Sequence, residues 1–295
     1  MEVSNQIKLI IQSMRPKQWI KNLFIFAAIV FSKNFLNFAL LQKTFFVFVL
    51  FCLLTGSIYI INDLIDIKKD KIHPEKRKRP IASGKLNRQI AVIASLFFAM
   101  SSIGLIFYID PKILSYCIIY FIIFILYSVY LKHLLIVDVF IIAIGFVLRI
   151  LIGATVIGVM ISHWLLICTM FLALFLGFCK RRNELIILTN NSHKHRKNLQ
   201  DYNPYFLDQM ISVTTASMII SYTLYTISPE SIQNFGTDKL IYTIPFVLYG
   251  IFRYLYIVHQ KNQGGSPTDI VLTDKPFIIN IGLWIISCFL IIYKF

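Results

Sequence analysis

Residues 44–70 read TFFVFVLFCLLTGSIYIINDLIDIKKD, an apolar run that ends in a ladder of acids. From Thr44 to Ile61 no side chain is charged, and a run of that kind has the length of a helix that crosses a bilayer. The stretch then closes on Asn62, Asp63, Asp66 and Asp70. In a helix, Asn62, Asp66 and Asp70 follow at i, i+4 and i+8 on one face, and Asp63 borders the same stripe. Carboxylates crowded at a membrane boundary repel one another and are costly to bury. A hard divalent cation removes that cost, and an oxygen-only donor set without His or Cys suits Mg2+. The plainer alternative is a solvated helix end beside Lys68, Lys69 and Lys71.

The same apolar character fills the rest of the chain. Of its 295 residues 57% are hydrophobic and 15% charged, with a mean hydropathy of +0.72. A soluble domain needs more polar surface than that. Membrane-length apolar stretches fall at 22–39, 44–66, 89–109, 112–131, 138–158, 163–179, 209–228, 239–258 and 277–293. They predict an all-α polytopic membrane protein of about nine transmembrane helices, forming a single domain over 1–295. The 22–39 stretch is the weakest, because Lys33 and Asn34 interrupt it. The N-terminal MEVSNQIKLIIQSMRPKQWIKN has no small-residue cleavage site and reads as part of the mature chain. The cysteines (Cys52, Cys117, Cys168, Cys179, Cys288) form no CxxC pair and read as small residues of the membrane core. The histidines show no zinc-ligand spacing, and His193 and His195 read as part of a solvated loop.

Lys and Arg fall on alternate sides very unevenly. One side collects the N-terminal Lys8, Arg15, Lys17 and Lys21, the 67–88 loop, Lys132, the 180–208 loop, Lys261 and Lys275. The other holds Lys33, Lys43, Lys112, Lys239 and Lys294. The basic side is therefore expected in the cytoplasm, with the protein in the inner (cytoplasmic) membrane. The net charge of +15 follows from this topology and does not mark a nucleic-acid binder.

The basic loop after the acidic ladder reads His73-Pro74-Glu75-Lys76-Arg77-Lys78-Arg79-Pro80-Ile81-Ala82-Ser83-Gly84. Two prolines deny it a long helix and fold it over the helix ends. Such a charge run sets topology or meets anionic lipid in many proteins. Beside a metal site, Lys76 and Arg79 are also what a diphosphate needs. A second cluster, Lys180-Arg181-Arg182-Asn183-Glu184, ends the sixth stretch on the same side. It is either an ordinary basic flank with a Lys180–Glu184 helix pair or a second phosphate clamp. Arg149 and Arg253 lie within apolar stretches, and an arginine at depth faces a polar cavity or a partner. Arg149 is read as a cavity cation or one half of an internal salt bridge, and Gly145 and Gly153 as sites of close helix packing. Trp19 reads as an interfacial anchor, with Lys17 and Lys21 one turn apart and within reach of the site.

The NDxxDxxxD ladder followed by HPxKRxRPIASG resembles the first aspartate-rich motif of the UbiA superfamily over nearly the whole chain. The resemblance implies about nine helices around a cytoplasm-facing cavity. Aromatic prenyltransferases of that superfamily carry a second Asp-rich motif near the end of the sixth span, where this chain reads KRRNEL. That departure, with RPKQWIKN, YSVYLKHLLIVDVFIIAIGFVLRILIGA and TIPFVLYGIFRYLY, resembles its decaprenyl-phosphate phosphoribosyltransferase branch. What this implies is transfer of 5-phosphoribose from phosphoribosyl diphosphate to a polyprenyl phosphate, for lipid-linked pentose and cell-envelope glycans. Mg2+ would be held by Asn62, Asp66 and Asp70, with Asp66, Asp70 and Lys180 catalytic. Lys17, Lys21, Asn62, Asp63, Lys76, Arg79, Tyr130, Lys132, Arg149, Lys180, Arg181 and Glu184 would bind substrate. A homo-oligomer, a trimer among the options, rests on the resemblance alone. Two rival readings stand beside it: a prenyl transferase acting on an aromatic acceptor, and a transporter of an anionic metabolite. Against the transporter, the charges gather at one mouth and no paired broken helices are evident.

Overall fold

The computed structural model describes residues 2–160, 162–189, 202–261 and 267–294. Helices α1 (Glu2–Ser13), α2 (Ala27–Phe31), α3 (Phe38–Ile65), α4 (Ile67–Ile72), α5 (Arg88–Ile109), α6 (Pro111–Val129) and α7 (Val137–Ile157) build the first half. Helices α8 (His163–Thr189), α9 (Pro204–Ile227), α10 (Pro229–Phe235), α11 (Ile244–His259), α12 (Pro267–Thr273) and α13 (Lys275–Lys294) build the second. Local chemistry sets the helix starts. Asn37, Asn87, Asp110 and Asn203 each cap the first turn by accepting a backbone N–H. Pro111 and Pro204 follow two of these caps, where a missing N–H costs nothing.

Eight helical stretches are long and apolar enough to cross a membrane: α3, α5, α6, α7, α8 up to Ile186, α9, the 239–259 stretch and α13. The chain is an integral membrane protein. The 22–39 stretch departs from the sequence expectation. It is delivered as a 3₁₀ helix, Pro16–Phe26, continued by the short α2. A 3₁₀ helix rises about 2.0 Å per residue, so these few residues still run the depth of the bundle. At one end Arg15 reaches Asp63; at the other the Lys33 Nζ donates to the Phe235 carbonyl at 2.8 Å. Lys33 itself, at φ 60, ends the run, as the interruption at 33–34 foretold.

Helices α3 and α7 are the inner pair, each 61% buried over its most apolar window, against 17% for α13. The 16–31 segment lies against both. Its closest approach is at Gly153, where a Cβ would overlap the Ile25 carbonyl oxygen, so only glycine fits. One apolar cluster joins this segment with α3, α5, α6 and α7, and another joins α7, α8, α9, α11 and α12. The bundle closes where Tyr293 on α13 bonds the Phe35 N–H at 3.1 Å and the Val30 carbonyl at 3.0 Å. Large apolar side chains such as Phe97, Met100, Phe252 and Ile279 remain exposed on the outside, as lipid contact requires.

Candidate active site

The alternation of helices brings the C-terminal ends of α3, α6, α8 and α11 and the N-terminal ends of α5, α7, α9 and α13 to one rim. Helix α3 stops at Ile65, and Asp66 (φ −89, ψ 5) joins it to α4. The backbone ladder nevertheless runs on: Asp66 N–H bonds the Asn62 carbonyl at 3.0 Å, and Asp70 N–H bonds that of Asp66 at 2.8 Å. The acids therefore keep a common face. Each has a basic partner from another segment. Asp63 is paired with Arg15, and also with Arg79 at 3.1 Å. The same Arg79 nitrogen reaches Asp70 at 2.6 Å. Asp66 takes Lys132 through both oxygens, at 2.8 and 2.6 Å. Asp63 and Asp70 are buried, as is Lys132, whereas Arg15 and Arg79 keep about a quarter of their side chains exposed.

The α6–α7 connection ties this ladder to the second motif. Lys132 stands in its 3₁₀ turn, and Asp138, six residues on, opens α7 and bonds Arg181 Nε at 2.7 Å. Arg181 also holds Glu184 and, at 3.4 Å, the Tyr127 hydroxyl, and only 2% of its side chain is exposed. Between the two motifs Ile136 adopts φ 66, ψ −47, and the Val137 N–H bonds the Leu135 carbonyl at 2.6 Å. This three-residue γ-turn is strained for a β-branched residue. The Tyr202 hydroxyl holds it by accepting the Ile136 N–H at 2.8 Å. Burial pushes the Tyr202 phenol up to about 12, which keeps it neutral beside Asp138.

A third group lies deeper. Arg149 is buried mid-helix, yet it has no carboxylate partner among the described residues. Its Nε donates to the Asn22 side-chain oxygen at 2.9 Å, one terminal nitrogen to the Gly145 carbonyl at 2.7 Å, and the other to the Tyr120 hydroxyl at 2.8 Å. Phe51, Tyr120 and Phe146 pack their rings around it. Asn22 is fixed in turn by donating to Thr55 and Cys52 on α3. Of the two expectations for Arg149 the internal salt bridge is not formed among the described residues, and three of its N–H groups are met by neutral oxygens.

The remaining expected residues separate by position. Lys21 is half-buried next to Asn22, Lys17 is exposed, and Tyr130 is 61% exposed and turned outward. Lys76 stands half-buried in the 3₁₀ turn Lys76–Lys78. Lys180 lies 3.9 Å from Glu184, which Arg181 grips more closely, so the i, i+4 pair is the lesser contact. Arg253 is paired with Asp274 at 2.9 Å and belongs to the rim, away from the acidic ladder. His193, His195, Lys194, Arg196 and Lys197 lie outside the described residues. A cavity of about 250 Å3 lined by Phe31, Ser32, Tyr225 and Phe235 sits at the opposite end of the bundle, remote from every expected site residue. Arg15, Asn22, Tyr120 and Asp138 were not assigned roles from the sequence. Asp138 offered a signal, because a carboxylate at a span's mouth requires a partner. Arg15 offered none: its left-handed backbone (φ 54, ψ 66) directly before Pro16 aims it at Asp63 against local preference.

Among the described residues no three His, Cys, Asp or Glu side chains converge as a closed metal cage. The donor set still fits a hard ion. Asp63 and Asp70 share one cationic nitrogen, that of Arg79, so two carboxylates already surround a single cation position. One or two carboxylates, with water and substrate phosphate, are what Mg2+ takes at phosphate-transfer sites.

An apolar helical bundle with its acids and bases gathered at one rim defines a polytopic membrane protein with a charged site at one mouth. Residues 22–268 match the UbiA prenyltransferase family, and the chain belongs to that family. Decaprenyl-phosphate phosphoribosyltransferase of Corynebacterium glutamicum is 30% identical over 289 residues, spanning 96% of this chain and 86% of that protein. The enzyme of the same name from Mycolicibacterium smegmatis is 30% identical over 290 residues, spanning 95% and 91%. The fold is shared with a UbiA homolog from Archaeoglobus fulgidus solved with GPP and Mg2+, at a TM-score of 0.74, 20% identity and coverage of 96% and 99%.

Proposed function

We propose that this protein is a pentosyltransferase that moves 5-phosphoribose from phosphoribosyl diphosphate to a polyprenyl phosphate, feeding lipid-linked pentose for cell-envelope glycans. The observation that carries the reading is the second motif. A prenyl transferase with an aromatic acceptor places a further pair of aspartates there, whereas this chain places Lys180, Arg181 and Arg182. A donor with three phosphoryl groups and a lipid bringing a fourth need added positive charge. The names and coverage of the relatives support the same reading. The basic rim faces the cytoplasm, where a soluble sugar diphosphate is available.

The C1–O bond to diphosphate breaks, the leaving group keeps the electron pair, and a lipid phosphate oxygen forms the new bond to C1 from the opposite face. That phosphate is already ionised near neutral pH, so no general base is required, and positioning is the main task. Asn62, Asp63, Asp66 and Asp70 would hold Mg2+, which neutralises charge on the diphosphate. Arg79, now bound to Asp63 and Asp70 and about a quarter exposed, would supply charge to the diphosphate oxygens, Lys132 would stay enclosed on Asp66, and Lys180 would add charge from the facing motif. Arg181 is too enclosed to reach substrate and positions α8 through Asp138 and Glu184. Membranes containing the protein, given labelled phosphoribosyl diphosphate and polyprenyl phosphate with Mg2+, are expected to form labelled lipid. A product formed instead from prenyl diphosphate and hydroxybenzoate would overturn the proposal.

A further inference from the structure

One short piece of backbone carries an ion pair at each end. Lys132 bonds both oxygens of Asp66, at 2.8 and 2.6 Å, and Asp138 holds Arg181 Nε at 2.7 Å. The chain between them runs as the 3₁₀ turn Leu131–His133, an extended Leu134 (φ −89, ψ 128), and then Ile136 at φ 66, ψ −47. A β-branched residue keeps that conformation only where its surroundings hold it. One hydroxyl supplies the hold. Tyr202 Oη accepts the Ile136 N–H at 2.8 Å and donates to Asp138 Oδ1 at 3.4 Å. Its single proton goes to the second motif and a lone pair to the turn that leads from the first, a division that no phenylalanine can make. The ring is 4% exposed, meets Phe206 and stands directly before Asn203, the cap of α9. The hydroxyl is therefore placed by the start of a helix.

Loss of this hold costs more than one hydrogen bond. If Ile136 relaxes to a negative φ, the chain changes direction between Lys132 and Asp138, and its two ends no longer keep both partners at once. Lys132 and Asp138 are buried, so water is a poor substitute for either partner. We infer that Tyr202 is a positioning residue: its hydroxyl locks the Ile136 turn, keeping Lys132 on Asp66 while Asp138 holds Arg181. The two motifs then act as one hydrogen-bonded unit, in which a tyrosine at the start of α9 fixes the spacing of Asp66 and Arg181. This role deepens the proposed transfer reaction and rests on it for what those charges do. Tyr202 contacts backbone and Asp138, and no substrate contact is assigned to it. Glycine adopts a positive φ without a side-chain clash. Ile136→Gly therefore makes the turn independent of the hydroxyl, which separates positioning from simple space filling.

The test uses the full chain in nanodiscs as wild type, Tyr202→Phe, Ile136→Gly and the double variant. Turnover with labelled phosphoribosyl diphosphate and polyprenyl phosphate is expected to fall about tenfold in Tyr202→Phe, the scale of one lost hydrogen bond, and to stay within about twofold of wild type in Ile136→Gly. The double variant is expected to return to within about threefold of Ile136→Gly. Wild-type turnover in Tyr202→Phe overturns the inference. So does a double variant that recovers nothing, because a tyrosine that only fills space loses as much with either residue at 136. If Tyr202→Phe does not accumulate, the double variant decides: accumulation with turnover supports the inference, and failure overturns it. The link to Lys132 is read without substrate. Tyr202→Phe is expected to lower the melting temperature by a smaller step in Lys132→Met than in wild type, and an equal step overturns the inference. A smaller step in a protein that forms no phosphoribosyl lipid would keep the clasp and sink the transfer reaction, whereas normal transfer with an equal step would sink the clasp alone.

Discussion

The acidic ladder on α3 and the basic cluster on α8 hold their charges in opposite ways. At the ladder Asp63 stands on α3 and Asp66 and Asp70 continue its backbone, and their basic partners come from connecting segments: Arg15 before Pro16, Arg79 in a proline-bounded loop, Lys132 in a short turn. Arg15 and Arg79 remain partly exposed. At the cluster Arg181 is 2% exposed and its partners Asp138 and Glu184 stand on helices. On the proposed reading Arg15 and Arg79 would exchange for a metal and a diphosphate, because water is at hand to solvate them as they leave, whereas Lys132 is as enclosed as Arg181. A guanidinium locked between helices cannot leave without stranding a buried carboxylate. The same kind of ion pair thus serves exchange at one site and rigidity at the other.

The largest expected effect breaks the ladder. Asp66→Asn is expected to lower transfer at least about 100-fold, the scale of lost electrostatic stabilisation, while the protein still accumulates in the membrane. Near wild-type turnover would remove the ladder from the chemistry. Next, Arg181→Gln is expected to cost about 3–5 kcal/mol by taking the guanidinium charge from buried Asp138. Thermal unfolding in detergent reads this, and adding Asp138→Asn is expected to recover part of it; if it recovers nothing, the pair is not coupled.

A smaller effect separates exchange from rigidity. Arg79→Ala is expected to destabilise the protein by about 1–3 kcal/mol in EDTA, because Asp70 loses its partner. Millimolar Mg2+ is then expected to restore more stability to the variant than to wild type. An equal response in both would mean that Asp63 and Asp70 do not meet the ion. The smallest effect concerns Arg253–Asp274, a half-buried rim pair with good geometry that stands apart from the acidic ladder. The hydrogen bond from Arg253 holds the Asp274 carboxyl below the usual carboxylate range. Its stabilisation is present at neutral pH and is lost as pH falls through that lowered value. The small melting difference between wild type and Asp274→Asn is therefore expected to persist at neutral pH and to shrink only as pH falls below the usual carboxylate range, and a gap that does not change with pH would point to packing instead.

The sequence revealed most of the long helices because each is a near-continuous apolar run with capping residues at its start. The 16–31 segment was misread as a helix over 22–39, since hydropathy registers apolar length and is blind to whether the turn closes at i+3 or i+4. At the site, the helical spacing of the acids and the reach of Arg79 were legible from residue order. The partners Arg15, Lys132 and Asp138 were not, because their pairings cross 48, 66 and 43 residues of chain. Arg149 stood out as a charge at depth, but nothing local tells that Asn22 and Tyr120 would receive it. The α8 helix runs on through Lys180–Glu184 to Thr189, and that extension places Arg181 and Glu184 on one turn.

The Tyr293 hydroxyl, bonded to carbonyls of Ile29 and Val30, has a consequence for biogenesis. These atoms lie at opposite ends of the polypeptide, 264 residues apart in the longer bond. During synthesis the Val30 carbonyl therefore meets no Tyr293 hydroxyl until α13 is made, whereas the Ile29 carbonyl also accepts the Asn34 N–H at 3.1 Å. A nascent chain without α13 would hold the other transmembrane stretches and still lack its clasp, an opening for quality-control proteases to seize.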